Sequence, residues 1–296
     1  MDLTTAAQVT VFGLVWGGLY ALTAHGLNLI YGVMKVLNIA HGEFLMLGAY
    51  VVFWLFTLWR VNPLVALAVA VPAMVGLGAL VHRTVVHPLV RASGGSVLAL
   101  EKSSLVAFFG VLMIVQNGAL LAWTGDYRVL EYLGRPVRLA GVSVAANRLV
   151  VLAVALVVTL ALHLFLRHTF TGKAIRAVSQ DREAGMLMAV DADRIALVSF
   201  ALGSGLAGLA GGLVALVYVI TPTIGILFTV KAFTVMVVGG PGRVVGTFGA
   251  GLALGVAEAW GSFFLGEGYR DAIDYVLLVG IILLMSHGVL RRGEAG

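Results

Sequence analysis

Cysteine is absent from this 296-residue sequence, and charged residues make up only 11% of it. Without cysteine the chain can form no disulfide, no thiolate nucleophile and no thiolate metal site. An average soluble chain carries about 25% charged residues, whereas here hydrophobic residues reach 60% and the mean hydropathy is +1.04. A single soluble core cannot hide so much apolar surface. Long apolar runs and only 6 prolines exclude collagen-like and disordered chains. The composition indicates an integral membrane protein.

The net charge of +5 and the isoelectric point near 9.7 do not indicate a nucleic-acid partner. The basic residues stand singly or in pairs between apolar runs, whereas nucleic-acid-binding surfaces carry them in a continuous patch. We therefore expect the lipid bilayer, and no nucleic acid, as a partner. The start, Met1-Asp2-Leu3, lacks a basic n-region, so we expect the first apolar run to be a retained span.

Long apolar runs predict an all-α, polytopic transmembrane bundle in a single domain covering 1–296. A membrane core of about 30 Å needs about 20 residues of helix. Candidate spans of that kind are 9–31, 38–58, 63–82, 104–123, 148–166, 194–219, 243–264 and 272–290. A shorter apolar run covers 226–239. We expect eight spans, or nine if this short run also crosses.

The basic residues predict the topology. The segment 167–194 is rich in them: Arg167, Lys173, Arg176, Arg182 and Arg194. Loops of this kind face the cytoplasm. Counting the spans backwards then places the N-terminus outside. If 226–239 crosses, the C-terminal pair Arg291 and Arg292 falls inside as well, which favours nine spans and a cytoplasmic C-terminus.

Three polar side chains, Asn38, His41 and Glu43, stand at the start of an apolar run. Polar groups inside a membrane are costly unless they are satisfied, and they often mark a substrate path. One interpretation therefore places all three on a substrate path or at a helix contact. The other is a solvated cap at the start of a helix, where the helix dipole favours the carboxylate.

A Gly-Gly-Pro-Gly sequence at 239–242 follows the short apolar run. It predicts either a helix broken within the membrane, as transporters use at binding sites, or a tight cytoplasmic turn. On the first interpretation Gly239, Gly240 and Gly242 line the substrate path. Lys231 must face a cavity, pair with an anion or extend to the interface, and we expect the last.

Small residues recur at three- and four-residue spacings in 203–212 and 246–255. Lipid provides no hydrophobic drive for helices to associate, so such faces serve to let helix backbones approach closely. We predict that both stretches pack helices together. The sequence shows no nucleophile–base set and no metal-ligand set, so we expect neither catalytic nor metal-binding residues.

The segment 167–194 combines charges with an apolar patch formed by Met186, Leu187, Met188 and Val190. A solvated loop has little reason to expose such a patch. The pattern predicts docking on a partner protein, or alternatively an interfacial helix lying on the lipid. The chain has no G-x-x-x-x-G-K-[ST] sequence, so we do not expect it to hydrolyse nucleotide itself.

Four motifs follow one another in a characteristic order. They are Tyr31-Gly32-Val33-Met34, Asn38-Ile39-Ala40-His41-Gly42-Glu43-Phe44, Gly172-Lys173-Ala174-Ile175-Arg176-Ala177 through Asp181, and Val238-Gly239-Gly240-Pro241-Gly242 with Gly246. Together they resemble the permease subunit of the bacterial branched-chain amino acid ABC importers and of their urea and amide relatives. The resemblance covers nearly the whole chain. Three departures, at His25, Asn28 and Ala189, leave open whether the substrate is a branched-chain amino acid, a related small polar solute, or urea or a short-chain amide.

The resemblance implies a transport subunit of the bacterial inner membrane, and not an enzyme. It implies a second, related permease, two cytoplasmic ATPases that hold ATP and Mg, and a periplasmic substrate-binding protein. It implies no cofactor on this chain. It also implies that 172–190 couples the permease to the ATPases. The residues expected at that contact are Gly172, Arg176, Asp181, Glu183, Met186 and Leu187.

A protein of another class, an ion-coupled secondary transporter, is the alternative. Such a transporter needs carboxylates inside the membrane, and the sequence offers Glu43, Glu258 and Asp274, which we expect near the interfaces. An internal repeat is a further expectation, because near 41 and near 241 a Gly-rich break precedes a small-residue helix.

Overall fold

The computed structural model describes residues 2–139, 142–187 and 190–286, and these form a helical bundle. The helices are α1 (Leu3–Met34), α2 (His41–Trp59), α3 (Pro63–Val81), α4 (His87–Ala92), α5 (Val97–Trp123), α6 (Ala146–His168), α7 (Phe170–Gln180), α8 (Arg182–Leu187), α9 (Ala192–Val214), α10 (Ile224–Gly239), α11 (Val244–Leu265) and α12 (Arg270–Ser286). A π-helical turn, His82–Val86, joins α3 to α4, and a 3₁₀ turn, Glu267–Tyr269, precedes α12. Two antiparallel strands, β1 (Pro136–Leu139) and β2 (Val142–Ala145), form a hairpin between α5 and α6.

The predicted helical membrane bundle is confirmed. Among the described residues, 7 helices are long and apolar enough to cross a membrane, with α3 and α4 counted as one. The other apolar helices are α10, with 16 residues, and α12, of which 17 residues are described. Each predicted apolar run therefore corresponds to a helix.

Three helix boundaries differ from the predicted ones. Helix α5 begins at Val97 and not at 104, because the Ser96 side chain accepts the Ala99 N–H at 3.3 Å and caps the helix. Helix α2 begins at His41, since the chain leaves α1 through Lys35 in a left-handed conformation. Helix α9 ends at Val214 and not at 219. The residues after it turn away, and Ile220 pairs with Arg128.

Hydrogen bonds define two ends of the bundle. The N-terminal end gathers the start of α1, the β-hairpin and residues 216–220. Three hydrogen bonds hold these segments together. The Gln8 side chain donates to the Ser143 carbonyl (3.5 Å), the Asn147 side chain donates to the Leu216 carbonyl (2.8 Å), and the Arg128 backbone N–H donates to the Ile220 carbonyl (3.0 Å). The opposite end gathers the end of α1, the start of α5 and α7. There the Tyr31 hydroxyl donates to Glu101 (3.0 Å), and Ser179 lies beside Gly32.

Two helices, α2 and α10, begin inside the bundle. The His41 Nε2 atom lies 3.1 Å from the Thr23 carbonyl oxygen. Thr23 precedes the end of α1 by about 16 Å along the helix axis, so α2 starts at that depth in the bundle. The Gly42 amide donates to Thr229 (2.8 Å), whose hydroxyl donates to the Gly225 carbonyl (3.0 Å). These bonds join the first turns of α2 and α10. Helix α10, about 24 Å long, then runs to the opposite end.

Glycine faces bring the central helices together, as predicted for 203–212 and 246–255. A Cβ atom at Gly203 of α9 would stand 2.6 Å from the carbonyl oxygen of Gly26 in α1. On α11, a Cβ atom at Gly251 would stand 2.7 Å from the Cβ atom of Ala21 in α1. Real Cβ contacts are longer than this, so only glycine permits these approaches.

Substituting alanine for Gly251 tests the contact between α1 and α11. The added methyl group would lie within 3 Å of the Cβ, N and Cα atoms of Ala21. We therefore expect Gly251→Ala to destabilise the protein by about 1–3 kcal/mol, the usual cost of overpacking. The matched control is Gly249→Ala on the same helix, where nothing lies within 4 Å. Thermal unfolding in detergent measures both variants. Equal melting temperatures would contradict the close contact.

Candidate functional site

The sequence-predicted residues Asn38, His41 and Glu43 are fully buried, with exposed fractions of 0, 0 and 1%. The solvated-cap interpretation is therefore wrong, because α2 starts inside the bundle and not at its surface. His41 bonds the Thr23 carbonyl through Nε2. The side-chain oxygens of Glu43 and both polar atoms of Asn38 have no hydrogen-bond partner among the described residues.

The glutamate packs where α10 begins. A Cβ atom at Gly225 would lie 2.5 Å from Glu43 Oε1 and 2.8 Å from the Gly42 carbonyl carbon. The start of α10 is thus pressed against a buried carboxylate, and a glycine is needed there. Glu43 therefore belongs to the contact between α2 and α10.

The Gly-Gly-Pro-Gly sequence forms a tight turn between α10 and α11 at the opposite end of the bundle. Gly240 and Gly242 have φ values of 87° and 74°, in the region that favours glycine. Asn28 of α1 stabilises the turn, because its amide donates to the Gly240 carbonyl (3.3 Å) and accepts from the Gly242 N–H (2.6 Å). This gives Asn28, one of the departures from the family pattern, a structural role.

The two predicted substrate-path groups are not brought together. Glu43 packs against Gly225 in the first turn of α10, whereas Gly239 is the last residue of that helix and Gly240 follows it. Gly239 packs closely on α11, where a Cβ atom would stand 2.5 Å from the Thr247 Cα atom. Helix α10 is the element that connects the two groups.

The predicted coupling segment forms α7 and α8 at the opposite end of the bundle. Gly172, Ile175 and Val178 are buried, while Arg176 is exposed on the other face of α7. Met186 and Leu187 of α8 are 49% and 87% exposed. The Glu183 side chain and residues 188–189, which include Met188 and Ala189, lie outside the described part.

The Asp181 amide continues α7 by donating to the Ala177 carbonyl at 3.0 Å. The Thr169 hydroxyl caps the start of α7 by accepting the Gly172 N–H at 3.0 Å. A Cβ atom at Gly172 would stand 2.6 Å from the Leu166 Cα atom. The glycine therefore allows α7 to turn sharply from the end of α6.

A cluster of buried charges joins α1, α10, α11 and α12. Glu258 of α11 accepts from Lys231 at 2.6 Å, from the Tyr20 hydroxyl at 2.7 Å and from Arg270 at 3.1 Å. Asp274 lies 3.9 Å from Lys231. The expectation that Lys231 reaches the interface is wrong, because Lys231 is 3% exposed and paired with these two carboxylates. Glu258 and Asp274 are likewise buried within the bundle, with exposed fractions of 0 and 2%.

A cavity of about 910 Å³ opens beside this charge cluster at the N-terminal end. It is lined by α1, the start of α6, residues 217–218, α10, α11 and the connection to α12. Trp16 and Tyr20 form one wall, and Lys231 and Arg270 contribute charge. The guanidinium of Arg270 stacks over the Trp16 ring at 4.4 Å. The volume falls in the range of about 300–1,000 Å³ typical of small-molecule sites.

Sequence reasoning did not find the cavity residues Trp16, Tyr20, Arg148 and Arg270. The sequence contains one indication of this site: two charged residues, Lys231 and Glu258, stand inside apolar runs. Charges at such positions indicate a functional or paired site. Three or more His, Cys, Asp or Glu residues do not gather into a metal site anywhere in residues 2–139, 142–187 and 190–286.

These features define a class of protein: a multi-helix membrane bundle with a charged cavity at one end, an amphipathic segment at the other, and no nucleotide-binding motif, as in the membrane subunit of a transporter. The sequence matches, over residues 9–286, the family described as the permease component of the branched-chain amino acid transport system. The chain belongs to this family, and the resemblance inferred from its motifs is confirmed.

Individual relatives agree with this assignment. The chain is 32% identical to the high-affinity branched-chain amino acid transport system permease protein BraD of Pseudomonas aeruginosa, over 97% of this chain and 96% of that one. It is 32% identical to LivH of Escherichia coli, a permease protein of the same description, over 95% and 94%. A probable LivH permease of Methanocaldococcus jannaschii is 24% identical over 93% and 90%. No solved structure matches the chain.

Replacing Glu258 by Gln tests the charge cluster. The substitution leaves Lys231 and Arg270 with less compensating charge, and removing one partner of a buried pair costs about 3–5 kcal/mol. We expect a clearly lower melting temperature in detergent. The control is Asp193→Asn, which removes an exposed pair with Arg182 at 2.8 Å, a pair worth about 0–1 kcal/mol. Wild-type stability for Glu258→Gln would show that the cluster does not hold these helices.

Proposed function

We propose that this chain forms the translocation path of an ATP-driven importer for branched-chain amino acids. The observation that carries the proposal is the likeness to permeases of that description over nearly the full length of both chains. The cavity at the N-terminal end supports it, because its volume and its mixed apolar and charged lining suit a small solute.

In this proposal the N-terminal end of the bundle faces the periplasm of a bacterial inner membrane, and the C-terminus is cytoplasmic. The basic residues of 167–194 support the orientation through the positive-inside rule. In keeping with it, α7 packs at the end of the bundle opposite to the start of α1.

The proposed assembly contains a second, related permease, a periplasmic binding protein at the N-terminal end and two ATPases at the opposite end. ATP and Mg belong to the ATPases, because this sequence has no phosphate-binding loop. The exposed Arg176, Met186 and Leu187 support an ATPase contact at α7 and α8, where a methionine can adapt to a partner groove. Gly172, Asp181 and Glu183 complete the proposed coupling residues.

The proposed path continues inward from the cavity along α10. Asn38, His41 and Glu43 come first, and Gly239, Gly240 and Gly242 follow at the far end. Glu43 packs on Gly225 and Gly239 packs on Thr247, so these contacts must loosen before a solute can pass along α10. We therefore propose that the two ends of α10 shift relative to α2 and α11 during transport, while Lys231 stays paired with Glu258, and that the shift is driven by an ATPase contact that differs between the two states.

Uptake by the reconstituted complex tests the proposed function. The permease pair, the ATPases and the binding protein are placed in proteoliposomes with labelled leucine. We expect uptake that requires ATP and the binding protein. Uptake driven by an ion gradient without ATP would support the secondary transporter instead, and ATP-dependent uptake of urea or a short-chain amide but not of leucine would contradict the substrate assignment.

The same preparation tests the coupling segment with Arg176→Glu. Reversing this exposed charge at the ATPase contact leaves the fold intact, so we expect ATP hydrolysis to persist while leucine uptake falls about tenfold. The control is Arg91→Glu, an exposed residue of α4 that lies outside α7 and α8. Unchanged uptake per ATP hydrolysed in Arg176→Glu would contradict a coupling role for α7.

A further inference from the structure

The segment 215–220, which follows α9, forms a common wall between two cavities. One is the cavity of about 910 Å³ beside the charge cluster. The other, of about 670 Å³, is lined by the loop 129–135, by the start of α6 and by the segment itself, and it includes the exposed residues Glu131 and Arg135. Val217 and Tyr218 line both cavities. We call residues 215–220 the strap.

The far end of the strap is tied to Arg128 through the backbone. The Arg128 N–H donates to the Ile220 carbonyl at 3.0 Å, and the Ile220 N–H donates to the Arg128 carbonyl at 2.8 Å. This exchange is the one that two antiparallel strands make at a hydrogen-bonded pair. In the described part of the chain it is an isolated pair and does not extend into a sheet. The strap is therefore attached here at a single point.

The side chain of Arg128 holds this point against α2 and α5. Its guanidinium donates to the Trp123 carbonyl at 2.8 Å and lies over the rings of Trp54 at 4.9 Å and Phe53 at 5.6 Å. Aromatic faces attract a cation in this geometry. Trp123 in turn stacks on Tyr50 with ring centroids 4.2 Å apart. Arg128 thus fixes the strap to two helices that it does not otherwise join.

The rest of the strap is held by weaker contacts. The Asn147 side chain donates to the Leu216 carbonyl at 2.8 Å. The ring of Tyr218 meets Trp16 edge-on at 5.3 Å and Phe228 at 6.3 Å, and Tyr218 is 37% exposed. Aromatic edge contacts of this kind separate without leaving a buried charge unpaired. Movement of the strap therefore depends mainly on the attachment to Arg128.

The strap leads directly into α10. Three residues, 221–223, separate the two, and the Ile224 N–H donates to the Thr221 carbonyl at 3.2 Å at the start of the helix. The first turn of α10 packs on α2, with Gly225 against Glu43. A displacement of the strap is therefore transmitted to the end of α10 that must loosen from α2 during transport.

We propose that the strap is a lid on the cavity beside the charge cluster and that Arg128 is its latch. With the latch engaged, the strap separates the two cavities. When Arg128 releases Ile220, the strap moves aside, the two cavities join, and a solute passes between them. This inference rests on the proposed function and adds to it which segment opens at the N-terminal end and which contact holds it shut.

Disulfides between the strap and the neighbouring loop test whether the strap must move. The permease chain has no cysteine, so each pair of substitutions supplies its only two thiols. The first pair is Val129→Cys with Val219→Cys, next to the bridged residues, and it leaves Arg128 in place. Residues opposed in this way in antiparallel strands have Cα atoms about 4.5 Å apart, which suits a disulfide. We expect oxidation to lower ATP-dependent leucine uptake by proteoliposomes about tenfold, because a lid that cannot open blocks entry, and a reductant to restore it.

The second pair is Arg128→Cys with Ile220→Cys, whose Cα atoms lie about 5.5 Å apart in a hydrogen-bonded pair. It removes the guanidinium, so the same reversible loss of uptake would come from the tie and not from Arg128 itself. The matched control is Arg138→Cys with Ser143→Cys, which oppose each other in the β-hairpin at the same end of the bundle. Each variant is compared with its own reduced form, and melting temperatures confirm that oxidation unfolds none of them. We expect equal uptake by the oxidised and reduced control.

The outcomes separate the lid from the function on which it rests. Uptake at the reduced rate in both oxidised strap variants, or failure of both pairs to cross-link, would overturn the lid. Loss of binding-protein attachment after oxidation would overturn it as well, because the segment would then be a docking surface. In each of these cases ATP-dependent uptake by the wild-type complex leaves the proposed function intact. Absence of leucine uptake by the wild-type complex, with ATP and the binding protein present, would refute the proposed function itself.

Discussion

The carboxylate of Glu258 is the interaction on which the N-terminal half of the bundle depends. It receives Lys231 from α10, Tyr20 from α1 and Arg270 from the start of α12, so three neighbouring elements are fixed to α11 at one point. A charge in this position is tolerated because each partner is charged or donates a hydrogen bond. The same cluster forms the inner wall of the cavity. The helices cannot separate there without exposing unpaired charge, so we infer that movement is concentrated where contacts are neutral.

Helix α10 connects this fixed point with the two regions that pack most closely. Its first turn lies against Gly42 and Glu43 of α2, and its last residue lies against Thr247 of α11. Asn28 holds the turn that follows. These contacts are short, and glycine permits them, so small displacements of α10 would open or close space beside it. A short helix held at one charged point and packed through glycine elsewhere suits a permease that must alternate between two conformations.

Much of the fold could be predicted from the sequence, because lipid imposes simple rules. Apolar runs of sufficient length had to be helices, and the glycine faces at 203–212 and 246–255 had to pack. The charge cluster could not be predicted, since a turn at 239–242 does not reveal which faces of α10 and α11 meet, and Tyr20 lies 238 positions before Glu258. The burial of Glu43 was missed for a similar reason: its helix begins beside Thr23, in the interior, and sequence alone does not reveal that depth. In the sequence, Arg148 and Glu267 are single charges at the ends of apolar runs, and only the fold shows that both line one cavity.

The central claim is that the amino acid substrate occupies the cavity beside the Glu258 cluster, and the absence of cysteine from the chain makes a direct measurement simple. A single thiol is introduced by Val217→Cys, at a partly exposed residue that lines the cavity, or by Ser143→Cys, on the exposed face of the β-hairpin. Each variant, in the complete complex, is labelled with a water-soluble maleimide with and without leucine. We expect leucine to slow labelling at position 217 severalfold and to leave labelling at position 143 unchanged. Equal labelling rates at position 217 with and without leucine would contradict the claim.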